Sequence, residues 1–481
     1  MAEQPNLLFL FSDQHAQKIT GCYGDPDVKT PNLDKLAARG VRFNNAYCPS
    51  PLCVPSRMSF LTGRYPSQQD VWMNDDFLPS DIPTFAHALG AAGCKPTLFG
   101  RLHAVGPDQL HGYVHRQVGD HSPNWIGVEK HDMGALKGAA GPGRATLDKS
   151  GIGQSAYELK DLDTVEAALN YFDQHNGDEP FCVTVGLLLP HAPYVAQRED
   201  YELYEGKINP ASIGIPEKEH PWLAWWRSKH DIIDVPAEHA VRARTAYYAL
   251  VTSMDRMIGQ ILDKLEETNL LENTLIVYAS DHGEQIGERG LWWKHTFYEE
   301  SVKIPLLLSW PGRLPQGEQR DQVVNLIDLN ATFLDALGAG KLPNSMGNSL
   351  LSIAENPSAS WNNETFSEYC SDVTKWDGMR QRMIRKDNWK LIYYHGFEPQ
   401  LFDLDDDPLE TRDLSEDMKY RDVKASLLHK VLEDWDPNDI EQRMFRKQQD
   451  KEIVGSWANK TSPPESYRWD LKPEMNYLRN E

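Results

Sequence analysis

The chain has 481 residues, 40% of them hydrophobic and 10% aromatic, and a formal net charge of −22 at pH 7. This length suits two domains, or one large α/β domain with an appendage, and the apolar content excludes a globally disordered chain. The negative charge argues against nucleic acid or an anionic membrane surface as a partner. It does not exclude a small anionic substrate, because a local cationic pocket can lie in an acidic protein.

The N-terminal sequence MAEQPNLLFLFSDQ lacks a basic region, and its apolar run is shorter than that of a secretion signal. No run of the chain reaches the ~18 apolar residues of a membrane span, so we expect a soluble, cytoplasmic protein. The six cysteines are scattered: Cys22, Cys48, Cys53, Cys94, Cys182 and Cys370. Because no two form a C-x-x-C pair, we expect neither a zinc knuckle nor a disulfide framework.

Residues 1–361 alternate short apolar runs with amphipathic stretches, which predicts an α/β domain whose parallel sheet is covered on both faces. The predicted strands are residues 7–11, 96–100, 181–189 and 274–283, the last reading TLIVYASDHG. The predicted helices are residues 82–92, 165–172 and 241–267. The last helix is the clearest, since its apolar residues recur at i, i+3, i+4 and i+7.

From about residue 362 the pattern changes, and we predict a small α+β domain over residues 362–481. Residues 379–396 have the pattern of an antiparallel hairpin, and LFDLDDDPLETRDL that of an exposed turn between strands. The chain beyond about residue 436 is polar but carries Trp457, Tyr467, Trp469 and Tyr477. We expect this aromatic tail to wrap its own body or a partner subunit, and we therefore expect a homo-oligomer.

Polar residues follow several of the apolar runs at the point where each run ends. They are Asp13, His103, His191 and the pair Asp281–His282. Because sites in open α/β sheets form outside the carboxyl ends of the strands, we expect these distant residues to converge on one rim.

Each candidate has a structural alternative. Asp13–Gln14 and Asp281–His282 offer donors for a hard divalent cation, but an aspartate after a strand commonly caps the next helix. His103 and His191 could be loop histidines, and Lys294 a surface lysine. For the tryptophans at 222, 225 and 226, core or subunit packing ranks ahead of a sugar or choline platform.

Cys53 lies in the segment PLCVPSRMSFLTG, residues 51–63. A cysteine phosphatase needs an arginine six positions after its cysteine, and that position is Ser59, whereas the arginine is Arg57. The cysteine-phosphatase interpretation therefore fails on spacing. For an isolated cysteine, a buried structural residue is the better interpretation.

The same segment resembles the sulfatase signature, in which the cysteine of C-x-P-S-R is oxidised to formylglycine. Further segments resemble that family in order: PNLLFLFSDQ as the metal-binding opening, TPNLDKLAARGVRFNNAYC as the helix leading into the signature, then FGRLH, PHAPY, SDHGEQIGERGLWWKH and LFDLDDDPLETRDL. The resemblance implies an alkaline-phosphatase-like fold. This fold has a mixed, mostly parallel central sheet flanked by helices, with a smaller C-terminal α+β domain.

The resemblance also implies roles for individual residues. One divalent metal would be held by Asp13, Gln14, Asp281 and His282 together with the modified Cys53. The catalytic residues would be Cys53, Arg57, His103, His191 and Lys294. Arg57 would position the formylglycine, His103 would act on its hydroxyls, and His191 and Lys294 would contact sulfate and assist the leaving group. Asn74 and Arg101 would contact the substrate.

Three positions depart from the common pattern of the family. Gln14 stands where a second aspartate is frequent, His282 where an asparagine is frequent, and Arg101 where a lysine precedes the histidine. The first two resemble the branch of phosphonate monoester hydrolases and choline sulfatases. They lower the negative charge at the metal and admit a nitrogen ligand, so Mn²⁺ becomes plausible beside Ca²⁺, the most expected ion. Mg²⁺ is a third candidate. Arg101 keeps the charge but changes its geometry.

The expected chemistry follows from the substrate. A sulfate monoester is a weak electrophile with an anionic oxygen shell, so a cation must screen it and activate an oxygen nucleophile. Hydrated formylglycine would attack sulfur with one hydroxyl, and removal of the proton of the second by His103 would expel sulfate. An unmodified thiol has no such exit.

We therefore predict hydrolysis of sulfate monoesters, of the arylsulfatase or choline-sulfatase type, after maturation by a formylglycine-generating enzyme or an equivalent. The nearest alternative is a phosphonate monoester or phosphodiester hydrolase that uses the same site. A non-catalytic anion-binding module with a free Cys53 thiol is less consistent with the full residue set. A two-metal phosphatase would need further His and Asp ligands.

Overall fold

The computed structural model describes residues 4–175, 177, 179–371 and 379–479. The strands are β1 Asn6–Asp13, β2 Val41–Tyr47, β3 Pro96–Gly100, β4 His115–Gln117, β5 Gly151–Gln154, β6 Cys182–Pro190, β7 Val195–Ala196, β8 Thr274–Ser280, β9 Leu306–Ser309, β10 Glu318–Asn325, β11 Glu364–Cys370, β12 Arg380–Lys386, β13 Trp389–Tyr394, β14 Gln400–Asp403 and β15 Tyr477–Leu478.

The helices are α1 Pro31–Ala38, α2 Cys53–Thr62, α3 Phe85–Ala91, α4 Ala145–Asp148, α5 Ala156–Gln174, α6 Arg198–Glu202, α7 Pro221–Lys229, α8 Ala237–Glu267, α9 Glu299–Val302, α10 Asp328–Ala336, α11 Leu351–Glu355, α12 Arg421–Leu432 and α13 Pro437–Thr461. None of the helices in the described ranges combines the length and the hydropathy that a membrane crossing requires.

The central sheet has the strand order β10-β2-β9-β8-β1-β6-β3-β4. Its neighbours run parallel except at β9, which is antiparallel to both β2 and β8. In β1, Leu7 and Phe9 enter the core on one face and Leu8 and Leu10 the core on the other. Residues 7–11 of this strand are all apolar because both of its faces are covered. The mixed, mostly parallel sheet and its flanking helices confirm the predicted fold class.

The predicted elements of the larger domain are present, β3 with the expected ends and the others with shifted ends. The strands expected at residues 7–11, 96–100, 181–189 and 274–283 are β1, β3, β6 and β8. The helix expected from residue 82 begins at Phe85, because the side chain of Thr84 accepts a hydrogen bond from His87 N and caps it. The helix expected at 165–172 is the middle of α5, and that at 241–267 is most of α8.

One expected element is wrong in part. The segment 30–48, expected as a helix leading into the signature, is helical only in α1 and continues as β2. Gly40 divides the two, and a side chain at that position would meet the backbone oxygen of Leu308 at 2.1 Å. The close approach of β9 therefore requires glycine and ends the helix before it.

The C-terminal domain contains an antiparallel sheet of β11, β12, β13 and β14, against which α12 packs. The predicted hairpin is β12–β13, with Lys386 opposite Trp389, and residues 372–378 of the preceding segment lie outside the described residues. The tail then returns to the larger domain, where β15 pairs with β5. The tail therefore packs against its own chain. Its contact with a partner subunit and the domain boundary between residues 361 and 362 stay predictions.

Candidate active site

The ends of three neighbouring strands align at one rim. Ser12 of β1 lies opposite Ser280 of β8, and Asp13 lies opposite Pro190 of β6. The residues that follow, Asp281 and His191, are thereby brought beside Asp13. The rim predicted from the strand ends is therefore present, and it forms where parallel strands present their carboxyl ends.

Four ligand-type side chains meet at this rim. The donor atoms of Asp13, Cys53, Asp281 and His282 lie within 4.8 Å of one another, and all four residues are buried. The Cys53 Sγ atom lies 3.2 Å from Nε2 of His282 and 3.6 Å from Oδ1 of Asp13. Two carboxylates and an imidazole form a donor set that fits a divalent cation.

His282 is in the form that a ligand needs. Its Nδ1 donates to the carbonyl oxygen of Gly283 at 3.0 Å, so Nε2 carries the free lone pair and faces the cluster. Burial lowers the pKa of His282, which keeps the ring neutral.

Cys53 is the first residue of α2, and the signature spacing explains its neighbours. Arg57 follows one turn later on the same helix face, and Pro55 falls in the first turn, where its missing N–H costs no helical hydrogen bond. No side chain of the preceding residue caps α2, and Oδ1 of Asn74 instead accepts a hydrogen bond from Val54 N at 3.0 Å. Burial raises the pKa of the Cys53 thiol to about 12, so the thiol is protonated at neutral pH.

Arg57 bridges the two aspartates. Its Nε donates to Oδ2 of Asp281 at 2.8 Å and its Nη2 to Oδ2 of Asp13 at 3.2 Å. Burial opposes ionisation of Asp13, but the positive charges of Arg101, Arg57 and Lys294 hold the pKa of its carboxyl well below the usual range. Oδ1 of Asp13 and Oδ1 of Asp281 lie 3.9 and 3.6 Å from Nε2 of His282, so one oxygen of each aspartate remains at the cluster.

His103 and Arg101 follow β3 and form a second group. Arg101 Nε donates to Oδ2 of Asp13 at 2.6 Å, and its Nη2 contacts Nδ1 of His103 at 2.7 Å. Because a guanidinium only donates, Nδ1 accepts and a neutral His103 carries its proton on Nε2. Burial, followed by the Arg101 charge, lowers the pKa of His103 well below its usual value.

Asp120 holds this second group and was not found from the sequence. His103 has φ of 61°, and its backbone N–H donates to Oδ2 of Asp120 at 2.8 Å. Arg116 donates to the same oxygen at 2.6 Å, and Arg101 forms an ion pair with Asp120 at 3.6 Å. No signal in the sequence marked Asp120, which is an isolated aspartate in a polar loop.

His191 and Lys294 form a third group beside Gln14. Nδ1 of His191 donates to the carbonyl oxygen of Ala192 at 2.6 Å, so Nε2 accepts from Lys294 Nζ at 3.0 Å. Burial and the Lys294 charge lower the pKa of His191. The Lys294 ammonium also donates to Oε1 of Gln14, whose Nε2 donates to Glu284. Glu284 stands in the SDHGE segment, but its position three residues after Asp281 did not reveal its partner.

The structure thus brings the predicted metal and catalytic residues to one rim, and it gives Asn74 a contact to the helix that starts at Cys53. Trp222 and Trp226 are buried in the main core, with Trp225 packed against it. This placement agrees with core packing, the first-ranked interpretation of the tryptophan cluster.

Comparison with known proteins agrees with this arrangement. A family model described as Sulfatase matches residues 5–339, and one described as N-sulphoglucosamine sulphohydrolase, C-terminal, matches residues 287–436. A choline-sulfatase of Rhizobium meliloti (strain 1021) is 32% identical, over 99% of this chain and 96% of that protein. Arylsulfatase K of Homo sapiens is 28% identical, over 90% of this chain and 83% of that protein.

Solved structures share the fold. A phosphonate monoester hydrolase of Agrobacterium radiobacter matches with a TM-score of 0.74 at 22% identity, covering 89% of this chain and 95% of that one. A phosphonate monoester hydrolase of Silicibacter pomeroyi matches with a TM-score of 0.73 at 24% identity, with the same coverage of 89% and 95%. At these identities the likeness concerns the fold.

Proposed function

Because the chain belongs to the sulfatase family, it is a hydrolase of sulfate esters, and we propose that it cleaves them with a formylglycine formed from Cys53 beside one divalent cation. The observation that carries this proposal is the approach of the Cys53 side chain to Asp13, Asp281 and His282, whose donor atoms lie within 4.8 Å of one another. Ca²⁺ is the first choice of ion because carboxylate oxygens dominate the set; Mn²⁺ and Mg²⁺ are the alternatives.

The bound cation would polarise sulfate oxygens and lower the pKa of a hydroxyl at position 53. Arg57 binds Oδ2 of both aspartates, which leaves Oδ1 of each for the cation. Gln14 adds a neutral ligand oxygen.

His191 and Lys294 assist departure of the alkoxide leaving group. Lys294 is the donor in their mutual hydrogen bond, so its ammonium can stabilise or protonate an oxygen that loses its bond to sulfur. Neutral His191 accepts the hydrogen bond from Lys294 and so holds the ammonium in position.

His103 can act as a base only through an unprotonated nitrogen. Its Nδ1 is engaged by Arg101, so it becomes a proton acceptor when the guanidinium turns to another anion. The sulfate oxygens of a substrate offer such a partner. Arg101 therefore couples substrate binding to the availability of His103.

Phosphonate monoester hydrolysis at the same site is the second candidate. It is favoured by the amide of Gln14 and the imidazole of His282, which make the ligand set less negative than one of carboxylates alone. Parallel turnover assays with an aryl sulfate, choline sulfate and a phenylphosphonate monoester decide between the candidates. Faster turnover of the phosphonate ester would overturn the sulfate preference.

Intact-peptide mass spectrometry across position 53 tests the proposed conversion. We expect an aldehyde-bearing peptide in protein produced with a formylglycine-generating enzyme, and loss of turnover in Cys53→Ala with an unchanged circular dichroism spectrum. Cys182→Ala is the matched control, because Cys182 is equally buried but lies inside β6. A free thiol at position 53 in active protein would contradict the proposal. The cytoplasmic location, the homo-oligomer and the division into residues 1–361 and 362–481 stay predictions.

A further inference from the structure

Gln14 presents an orientation problem that an aspartate would not. A carboxylate offers two equivalent oxygens, whereas an amide has one oxygen, which binds a cation, and one NH₂ group, which does not. A cation site that includes Gln14 therefore requires something to hold the amide with its oxygen on the correct side. This inference rests on the proposed metal-dependent function.

Glu284 contacts the nitrogen end of this amide. The residue is fully buried, and its Oε1 accepts backbone hydrogen bonds from Ile286 at 2.8 Å and Trp293 at 2.6 Å. Its Oε2 accepts from the hydroxyl of Tyr194 at 2.7 Å and from Nε2 of Gln14.

The opposite end of the amide faces a group of opposite hydrogen-bonding character. Lys294, which can only donate, contacts Oε1 of Gln14. The amide thus lies between an acceptor-only carboxylate and a donor-only ammonium, and a flipped amide would lose both contacts. Lys294 also reaches His191 on the rim, so the oxygen end of the amide lies toward the rim residues Lys294 and His191.

We propose that Glu284 is a positioning residue that fixes the amide of Gln14 with its oxygen toward the cation. It also ties the loop before Lys294, since Trp293 is the preceding residue and has φ of 66°. One carboxylate thereby orients a metal ligand and anchors the segment that carries the leaving-group lysine.

These hydrogen bonds predict the effect of replacing Glu284 with glutamine. In Glu284→Gln, the new oxygen must stay with the N–H groups of Ile286 and Trp293, because only an acceptor fits there. The new NH₂ then faces Gln14 and forces its amide to flip, turning a non-ligand NH₂ to the cation. If Gln14→Glu is added, a carboxylate accepts from that NH₂ and still offers an oxygen to the cation.

The test is isothermal titration of Ca²⁺ into chelator-stripped full-length protein, with thermal unfolding of the metal-free forms alongside. We expect Glu284→Gln to weaken Ca²⁺ binding about tenfold or more, and the double variant Gln14→Glu/Glu284→Gln to recover wild-type affinity to within about twofold. Tyr194→Phe is the matched control, since it removes one hydrogen bond from Glu284 without imposing a donor there, and its affinity should change least.

Equal affinity of Glu284→Gln and wild type would overturn the positioning role while leaving the proposed function intact. So would a double variant as weak as the single one, because a purely structural role in the loop is not rescued at position 14. If Glu284→Gln does not fold, the double variant alone decides the test. It must fold and bind Ca²⁺ with wild-type affinity, or the proposal fails. A wild-type protein that binds no divalent cation would instead overturn the proposed function, and this inference with it.

Discussion

Replacing Asp120 with asparagine removes the negative charge that holds the His103 turn. The buried carboxylate accepts from His103 N at 2.8 Å and from Arg116 at 2.6 Å and pairs with Arg101 at 3.6 Å. An asparagine can keep one acceptor, but its NH₂ group would then face a guanidinium. Breaking a buried ion pair from one side costs about 3–5 kcal/mol, so we expect the free energy of unfolding to fall by about 3 kcal/mol. We expect kcat to fall by up to about 100-fold, because His103 loses its fixed geometry.

Guanidinium unfolding followed by tryptophan fluorescence, with kcat on a sulfate ester, measures both effects. Although burial acts in the other direction, Arg116 and Arg101 hold the pKa of Asp120 well below its usual range. A depressed folded-state pKa contributes stability above the unfolded value of about 3.9, and that stability is lost as the pH falls further. The difference between wild type and Asp120→Asn should therefore be constant from neutral pH to about pH 5 and shrink below about pH 4.

The matched control is Asp163→Asn, an exposed carboxylate that accepts one hydrogen bond from Trp469 Nε1 at 2.8 Å. Its replacement should cost less than about 1 kcal/mol. Equal unfolding curves for Asp120→Asn and wild type, or a stability difference that persists unchanged at low pH, would refute the ionic reasoning.

Three further outcomes are expected. Asn74→Ala removes the acceptor for Val54 N at 3.0 Å and should lower the free energy of unfolding by about 1 kcal/mol. Asn74→Asp keeps an acceptor, so equal free energies of unfolding for the two variants would contradict a capping role. Lys390→Met removes the buried ammonium that lies 2.9 Å from Glu299 and 2.7 Å from Glu410. The free energy of unfolding measured in urea should fall by about 3–5 kcal/mol. A more stable variant would mean that the cost of burying the Lys390 charge outweighs its ion pairs. Chelation of the metal should lower the melting temperature in calorimetry, and Ca²⁺ at 100 times its Kd should restore about 2.7 kcal/mol of the free energy of unfolding. An unchanged melting temperature would argue against a resident cation.

The sequence was most informative where burial is complete. β1, β6 and β8 could be predicted because strands covered on both faces need nearly continuous apolar residues. The edge strands β4 and β10 read HRQ and EQRDQVVN, a polar pattern that indicates a strand only once the neighbouring strand is in place. The two-residue β15 pairs with β5 across more than half of the chain, which no local pattern specifies.

The site residues also fall into those that a local sequence pattern marks and those that it does not. Asp13, Arg57 and Asp281 could be predicted because they lie in short motifs with fixed spacing or directly after strands. Asp120 and Glu284 act through partners elsewhere: Glu284 meets a side chain 270 positions away. Their importance is a property of the folded rim, where a buried charge must be paired.

The charge of the rim explains how an acidic protein can bind an anion. Arg57 and Arg101 pair with Asp13, Arg57 also pairs with Asp281, and Lys294 lies beside them at Gln14, so the rim gathers positive charge although the whole chain carries −22. A divalent cation would add to that positive charge. A second aspartate in place of Gln14 would cancel part of that charge at the point where sulfate must approach. As the proposed ligand, the Gln14 amide would supply an oxygen without the charge. The Glu284 carboxylate, which accepts from the amide nitrogen, would repel sulfate more weakly because the amide separates the two. The amide would then need a fixed orientation, which its hydrogen bond to Glu284 supplies.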